Sequence, residues 1–218
     1  MNDAPTRGSG ETGPIEWMVF DLGNVVLYQT GGLPGLARRM GVPATVTPAA
    51  FRAAYNAPRR DYDLHSDPVR YWSAVAAASG APEPDSAAAA ELTAMDVQIW
   101  SRTEPAIIDL FGELRGTGIR LAVLSNAPVS MGEYVRRQEW ARLFDRIVIS
   151  GEIGLIKPDA GIFAHLLRDL AAPAGRVAFT DDLPENIAGA DAAGIRGIVF
   201  RGAGPLRSAL AALGVPLR

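Results

Sequence analysis

The stretch Trp17–Leu27, WMVFDLGNVVL, decides the fold class of this chain. Four apolar residues end at Asp21, and a Gly-Asn pair follows close behind. A short apolar run without helical spacing of polar residues predicts a buried strand. A carboxylate that terminates such a strand lies at the edge of a sheet, where open α/β folds bind ligands. Asp, Gly and Asn are also common turn residues, so the rest of the chain has to decide between a site and a plain turn.

The sequence after Leu27 changes to a helical pattern. From about residue 31 to residue 104, apolar residues recur at helical spacing, and proline and glycine mark the starts and ends of helices. This segment predicts an all-helical insert. Residues 1–14 are polar and rich in Gly, Pro and Thr, and they predict a disordered tail.

From Pro105 onward, helical and strand patterns alternate. Strands are predicted at residues 119–124, 147–149, 177–179 and 198–200, and helices at 105–114, 130–143, 159–170, 185–193 and 206–213. Such alternation predicts an α/β fold with a parallel sheet and helices on both faces. With the first strand the sheet has five strands, built from residues 15–30 and 105–218, and residues 31–104 form a separate lobe over its edge.

Composition excludes several functional classes. The formal net charge is −3, with acids and bases dispersed, so the charge gives no case for a nucleic-acid partner or an anionic membrane. The absence of cysteine excludes disulfides, thiolate catalysis and cysteine-based zinc sites, and only His65 and His165 are histidines. No secretory signal and no transmembrane run is visible, so we expect a cytoplasmic protein. The sequence leaves the oligomeric state open between a monomer and a homodimer.

Polar side chains gather where the predicted strands end. Because parallel strands finish at the same edge of a sheet, these side chains can converge there. They are Asp21 after the first strand, Ser125 and Asn126 after the second, Lys157 in the loop after the third, and Asp181 and Asp182 after the fourth.

These residue types fit phosphoryl transfer. Asp21 can attack phosphorus and form an aspartyl-phosphate, and with Asp181 or Asp182 it offers the oxygen ligands that Mg²⁺ prefers. The Ser125 hydroxyl and the Asn126 amide or backbone N–H can hold phosphoryl oxygens at a helix start.

Lys157 is the only lysine among the 21 basic residues. A lone lysine in an arginine-rich chain indicates a place where the wide, planar guanidinium will not serve and a compact charge is needed. At the strand ends, that charge would offset the acids and the phosphate.

Four motifs together resemble those of the haloacid dehalogenase (HAD) superfamily of phosphatases and dehalogenases. In order, they are Val19–Val25 (VFDLGNV), Val123–Asn126 (VLSN), Ser150–Phe163 (SGEIGLIKPDAGIF) and Phe179–Ile187 (FTDDLPENI). The resemblance covers roughly residues 15–29 and 105–200. It implies a Rossmann-like core with a helical cap inserted after the first motif, and the insert at residues 31–104 has the right place and length.

The resemblance also implies roles for single residues. Asp21 would be the nucleophile and a Mg²⁺ ligand, and the Gly23 carbonyl and the Asp182 carboxylate would complete the protein ligands. Asp181 would support or replace them as a ligand. The phosphoryl group of a small phosphorylated substrate would be held by Ser125, Asn126 and Lys157.

One position departs from the family pattern. Typical family phosphatases carry a second Asp two residues after the nucleophile, which protonates the leaving group and then activates water, and here that residue is Gly23. A cap residue is one possible substitute, with Asp61, Asp63 and His65 as candidates. Arg59 and Arg60 are candidates for binding the substrate from the cap or for a solvated surface, and Asn186 either orients Lys157 and the Asp pair or simply caps a helix.

The function that these observations favour is a Mg²⁺-dependent phosphomonoesterase acting on a small metabolite. A haloacid dehalogenase, in which Asp21 attacks carbon without a metal, is the second hypothesis, and the Asp181-Asp182 pair favours the phosphatase over it. A non-catalytic protein that binds a phospho-ligand or a partner is the third, motivated by Gly23.

Overall fold

A computed structural model describes residues 13 to 217 of the chain. Its strands form one parallel five-stranded sheet in the order β3-β2-β1-β4-β5, which confirms the predicted fold class. The strands are β1 (Trp17–Phe20), β2 (Arg120–Ser125), β3 (Arg146–Ile149), β4 (Val177–Asp181) and β5 (Arg196–Val199). Of the predicted disordered tail, residues 1–12 lie outside the described residues.

Helices cover both faces of this sheet because side chains along a strand alternate in direction. Met18 and Phe20 of β1 pack with the helices of one face, whereas Trp17 and Val19 pack with those of the other. On the first face are α6 (Pro105–Gly116), α7 (Val129–Arg136) and α11 (Ala203–Ala212); on the second are α9 (Ala160–Leu170) and α10 (Pro184–Ala192). The short α8 (Ser150–Ile153) follows β3 directly.

The described residues 31–104 contain five helices and no strand. The helices are α1 (Leu33–Met40), α2 (Pro48–Asn56), α3 (Arg59–His65), α4 (Pro68–Ser79) and α5 (Ser86–Ile99). They share a core of their own around Trp72, where the rings of Tyr62 and Tyr71 stack at 4.3 Å between centroids. In residues 13–217 no helix is long and apolar enough to cross a lipid bilayer.

Two predicted elements differ from the structure. The helix predicted over residues 130–143 is wrong, because α7 ends at Arg136 and a separate 3-10 turn runs from Glu139 to Leu143. The backbone is extended at Gln138, whose side chain donates to the Tyr134 carbonyl at the end of α7. Strand β5 begins at Arg196, two residues before the predicted start, because that stretch pairs with β4 from Ala178 onward.

Candidate active site

A cavity of about 330 Å³ opens between the carboxyl ends of the strands and the helices of residues 31–104. Ligands bind at this edge in open parallel α/β sheets. The residues that line it include Asp21, Gly23, Asn24, Ser125, Asn126, Lys157, Asp182 and Asn186 from the sheet side, and Arg59, Arg60, Asp63 and Trp100 from the helical side. Most of the residues singled out from the sequence therefore meet in one place.

Asp21 is held by a tight turn that follows β1. Its N–H donates to the Thr180 carbonyl at 3.0 Å, and the N–H of Leu27 closes the turn on the Leu22 carbonyl at 2.8 Å. Asn24 adopts a φ of 55°, a left-handed conformation that asparagine tolerates better than most residues. The turn leaves Asp21 almost buried but open to the cavity. Burial raises its pKa to about 6, against the opposing pull of the Lys157 charge.

Lys157 joins two of the acids. Its Nζ donates to Asp21 Oδ1 at 2.8 Å, to Asp181 Oδ2 at 2.6 Å and to the Leu124 carbonyl at 2.9 Å. These three bonds use all three donors of the ammonium group, and the side chain is only 1% exposed. Burial alone would lower the pKa of Lys157, but the charges of Asp21 and Asp181 outweigh it and raise the pKa. The lysine is therefore a fixed positive charge beneath Asp21.

Asp181 is fully enclosed and saturated with hydrogen bonds. In addition to Lys157, the Asn186 amide donates to both of its oxygens at 3.0 Å, and the Leu183 N–H donates to Oδ1 at 2.9 Å. Asn186 therefore holds Asp181 in position, and Asp181 in turn holds Lys157.

Asp182 is more open, and its Oδ2 accepts a hydrogen bond from the Asn24 amide at 3.1 Å. Burial raises the pKa of Asp182. Carboxylate oxygens of Asp21, Asp181 and Asp182 lie within 4.8 Å of one another, close enough to share one metal ion. Among the described residues, no side chain donates to Asp21 Oδ2 or to Asp182 Oδ1. The donor set fits a hard cation such as Mg²⁺, which takes oxygen ligands.

Ser125 ends β2 at the cavity and Asn126 follows it, and the two side chains have different surroundings. The Ser125 hydroxyl makes no hydrogen bond to a described residue, so it is available to a ligand. The Asn126 amide is committed to the Lys157 backbone: Nδ2 donates to the carbonyl at 3.0 Å, and Oδ1 accepts from the N–H at 2.8 Å. The Asn126 side chain therefore positions the lysine loop.

Gly23 leaves open space at its own position. A Cβ built on it would lie 3.9 Å from Trp100 and 4.0 Å from Asp21 Oδ2, which are ordinary contact distances.

Arg59 and Asp63 reach the cavity from α3, one helical turn apart. Arg59 Nε donates to Asp63 Oδ1 at 2.9 Å, and its Nη1 donates to Asp96 Oδ2 of α5 at 2.8 Å. Asp63 is 8% exposed, and burial raises its pKa to about 7, with Arg59 opposing the shift.

The other insert residues singled out from the sequence differ in their distance from the cavity. Arg60 lines the cavity, where its Nη1 donates to the Lys157 carbonyl at 3.2 Å. Asp61 and His65 face solvent, 3.7 Å apart, and Asp61 also pairs with Arg70 at 3.3 Å. Neither Asp61 nor His65 is among the described residues that line the cavity.

Three residues of the site did not emerge from the sequence. Asn24 binds Asp182 and follows Gly23 directly, so its place in the first motif was the signal. Asp96 lies on the apolar stripe of α5 between Leu92 and Ile99, and an acid in such a stripe indicates a buried partner. Ser150 opens the third motif, which was its only signal in the sequence, and it ties β3 to the insert by donating to the Asp63 carbonyl at 2.6 Å.

Known proteins resemble this chain in sequence. A family model described as haloacid dehalogenase-like hydrolase matches residues 15–194. A glyceraldehyde 3-phosphate phosphatase from Methanothermobacter thermautotrophicus is 28% identical over 198 residues, which cover 85% of each chain. A sesquiterpene phosphatase from Aspergillus oryzae is 32% identical over 44% of this chain, and the match spans only half of that relative. For a drimenol cyclase from Aspergillus calidoustus, 34% identical over 41% of this chain, the match spans 16% of the relative.

Solved structures share the fold. A HAD-family enzyme from Bacteroides thetaiotaomicron, determined as a magnesium complex, has a TM-score of 0.68 at 17% identity and covers 86% of this chain and 94% of its own. The 2-haloacid dehalogenase from Pseudomonas syringae pv. tomato has a TM-score of 0.63 at 20% identity and covers 85% and 86%. With the family model matching most of its length, the chain belongs to the haloacid dehalogenase-like hydrolases.

Proposed function

We propose that this hydrolase is a Mg²⁺-dependent phosphomonoesterase that acts on a small phosphorylated metabolite through an aspartyl-phosphate on Asp21. The observation that carries the proposal is the group of three carboxylates around one buried lysine at the floor of the cavity. With three carboxylates and one ammonium, the site has a net charge of −2 and a free carboxylate oxygen, which suits a metal-bound phosphate ester. A site for a neutral carbon electrophile would not need the second and third acid.

Asp21 is the nucleophile. Lys157 holds Oδ1, which leaves Oδ2 directed to the cavity without a competing side-chain donor among the described residues. Attack of Oδ2 on phosphorus expels the ester oxygen, and water then cleaves the acyl phosphate to release inorganic phosphate.

Asp21, Asp182 and the Gly23 carbonyl would hold the Mg²⁺. When bound, the ion would supply positive charge that offsets the negative charge of the phosphoryl oxygens. Asp181 keeps its hydrogen bonds to Lys157 and Asn186, and so it orients the lysine from below.

Ser125 and backbone N–H groups after β2 would bind the remaining phosphoryl oxygens. The Ser125 hydroxyl is free for this, and Lys157 supplies fixed positive charge at the nucleophile. Such preorganised donors and charges supply most of the rate enhancement in phosphoryl transfer.

The substrate is a small organic phosphate that fits beneath a cap formed by residues 31–104. Two of the relatives are named for phosphatase activity on glyceraldehyde 3-phosphate and on a sesquiterpene. The cavity walls also present apolar side chains to the organic part, among them Leu22, Leu27, Trp100 and Met131. An unbranched or apolar alcohol portion fits these walls better than a highly hydroxylated one.

The test is turnover of p-nitrophenyl phosphate with Mg²⁺, with EDTA and in the Asp21→Asn variant. We expect turnover only in the unmodified protein with Mg²⁺. Turnover that persists in EDTA would overturn the metal assignment, and turnover that persists in Asp21→Asn would overturn the nucleophile. Inactivity of the folded protein across a broad panel of phosphate esters would favour a binding role.

A dehalogenase is the second candidate, and Gly23 is the observation that favours it. A halide leaves without a proton, so that reaction needs no acid at position 23. Chloride release from 2-haloacids in the presence of EDTA, lost in Asp21→Asn, would select it over the phosphatase.

A further inference from the structure

We propose that Asp63, supplied by the helical insert, is the general acid and base of this hydrolase, in place of the side chain that Gly23 lacks. The assignment rests on the proposed phosphatase function and adds to it the group that moves the proton.

The sheet side of the cavity has no spare acid for this role. Among the described residues that line the cavity, the acids are Asp21, Asp63 and Asp182. Asp21 is the nucleophile, and Asp182 belongs to the proposed metal site. Asp63 is the acid that remains.

The two carboxylate oxygens of Asp63 differ, because Oδ1 is hydrogen-bonded and Oδ2 has no side-chain donor among the described residues. Oδ1 accepts from Arg59 Nε at 2.9 Å, and no described side chain donates to Oδ2. Arg59 is itself held by Asp96, which is 1% exposed and does not line the cavity. The pair therefore fixes the direction of Asp63 and leaves one oxygen for a substrate or water.

The backbone of α3 is fastened to the sheet loops beside the site. The Ser150 hydroxyl donates to the Asp63 carbonyl at 2.6 Å, and the Val129 N–H donates to the Ser66 hydroxyl at 3.0 Å. Gly151 permits this close approach, because a Cβ there would come within 2.1 Å of Ser66 Oγ. These two bonds tie the backbone of α3 on both sides of Asp63 to the sheet loops beside the site.

The acidity of Asp63 suits proton transfer in both directions. Burial raises its pKa to about 7, and a catalytic acid–base group works best when its pKa lies near the working pH.

The chemistry then balances in two steps. Asp21 attacks phosphorus, the phosphorus–ester oxygen bond breaks, and the leaving oxygen takes the electron pair and the proton of the Asp63 carboxyl. The Asp63 carboxylate next accepts a proton from water, whose oxygen attacks phosphorus. The acyl-phosphate bond breaks, which frees the Asp21 carboxylate and inorganic phosphate and leaves Asp63 protonated.

The test compares two leaving groups in the Asp63→Asn variant, with Mg²⁺ present. p-Nitrophenolate leaves without a proton, whereas an alkoxide from an alkyl phosphate such as glycerol 3-phosphate needs one. We expect the variant to release a burst of about one p-nitrophenolate per active site, followed by slow turnover, because the second step lacks its base. Its rate on the alkyl phosphate should fall by about 10²–10⁴-fold.

The matched control is Asp61→Asn, which removes an exposed acid of the same helix that does not line the cavity. It should leave the ratio of alkyl to aryl turnover unchanged and give no burst. If Asp63→Asn is too unstable to purify, Asp63→Glu takes its place, and it should lower the ratio of alkyl to aryl turnover at least tenfold.

A second substitution that restores activity to Asp63→Asn completes the test. Position 23 has room for a side chain, so Gly23→Asp should restore alkyl phosphate turnover to Asp63→Asn. A ratio of alkyl to aryl turnover that Asp63→Asn and Asp63→Glu leave unchanged would overturn the role of Asp63 while the phosphatase stands. Absence of turnover in the unmodified protein, or full turnover in Asp21→Asn, would overturn the phosphatase and the assignment together.

Discussion

The Asn126 side chain and the Lys157 backbone form a two-way pair, in which Nδ2 donates to the Lys157 carbonyl at 3.0 Å and Oδ1 accepts from its N–H at 2.8 Å. The residue that follows β2 thereby holds the loop after β3 beside the end of that strand. This pair positions the Lys157 backbone, and the ion pairs position its ammonium group.

Replacement of Asn126 by alanine should loosen that loop. The buried Lys157 N–H loses its acceptor, which costs about 1–3 kcal/mol of stability. The backbone that carries the ammonium group is then no longer held in place. We expect a lower kcat with a smaller change in KM, measured on p-nitrophenyl phosphate alongside a urea melt. Asn126→Asp keeps the acceptor for the Lys157 N–H but sets a carboxylate oxygen against the Lys157 carbonyl, so it should recover only part of the stability. An Asn126→Ala protein with wild-type stability and kcat would contradict the role of this pair.

Replacement of Lys157 should test whether only a lysine serves there. The ammonium is 1% exposed and makes three short bonds in different directions, a geometry that a planar guanidinium cannot reproduce. Lys157→Arg should therefore lose activity almost as fully as Lys157→Ala, and both should lose affinity for inorganic phosphate. Isothermal titration with phosphate and Mg²⁺ measures this, and full activity in either variant would refute it.

Mg²⁺ should raise the melting temperature of the folded protein, because an ion that binds only the native state adds about 2.7 kcal/mol at a concentration of 100 Kd. Asp182→Asn removes one ligand and should abolish most of the shift. Asp109→Asn, an exposed acid on α6, serves as the control and should keep the full shift. A shift of equal size in all three proteins would place the ion elsewhere.

Gly151→Ala should displace α3 from the site. Its new methyl group would meet Ser66 Oγ at 2.1 Å and the Ala127 carbonyl at 3.0 Å. We expect turnover of an alkyl phosphate to fall more than turnover of p-nitrophenyl phosphate, because Asp63 moves with the helix. Gly112→Ala on α6 meets no atom within 4 Å and should leave both rates unchanged. Equal losses on the two substrates would argue against a role of α3 in proton transfer.

The rate on an alkyl phosphate should fall as the pH rises through about 7. The folded-state pKa of Asp63 lies above its ordinary value of 3.8, so the protonated, proton-donating form persists up to about pH 7 and is lost above it. The ratio of the alkyl phosphate rate to the p-nitrophenyl phosphate rate cancels the effect of any other group whose titration slows both reactions. A ratio that stays flat from pH 6 to 8.5 would contradict this prediction.

Other charged groups near Asp63 bear on this titration. Asp61→Asn, on the exposed side of α3, is the control and should keep the fall in rate. The charged or titratable groups near Asp63 include Arg59, Arg60, Asp61 and His65 on α3, Asp96 on α5, Arg70 on α4, Glu152 on α8 with its partner Arg136, and Asp21 after β1.

The sequence was sufficient to predict the sheet and its strand-end residues, because each motif is local: an apolar run followed at once by Asp21, Ser125 or Asp181. It was not sufficient for the contacts between distant segments. The bond from Arg59 to Asp96 depends on how the helices of the insert pack together, and the bond from Ser150 to Asp63 depends on how the insert packs on the sheet. No local pattern encodes either. The same limit applies to the break near Gln138, where packing overrides helical spacing.

The strand order has a consequence for how the chain is made. Strand β1 lies in the middle of the sheet, yet its neighbours are residues 120–125 and 177–181. During synthesis β1 is made early, and it has no partner strand while residues 31–104 are translated. The insert can collapse around its own aromatic core in that interval, but Asp21 lacks its backbone partner Thr180 until β4 has been made. Most of the polypeptide must therefore be synthesised before the surroundings of Asp21 can form.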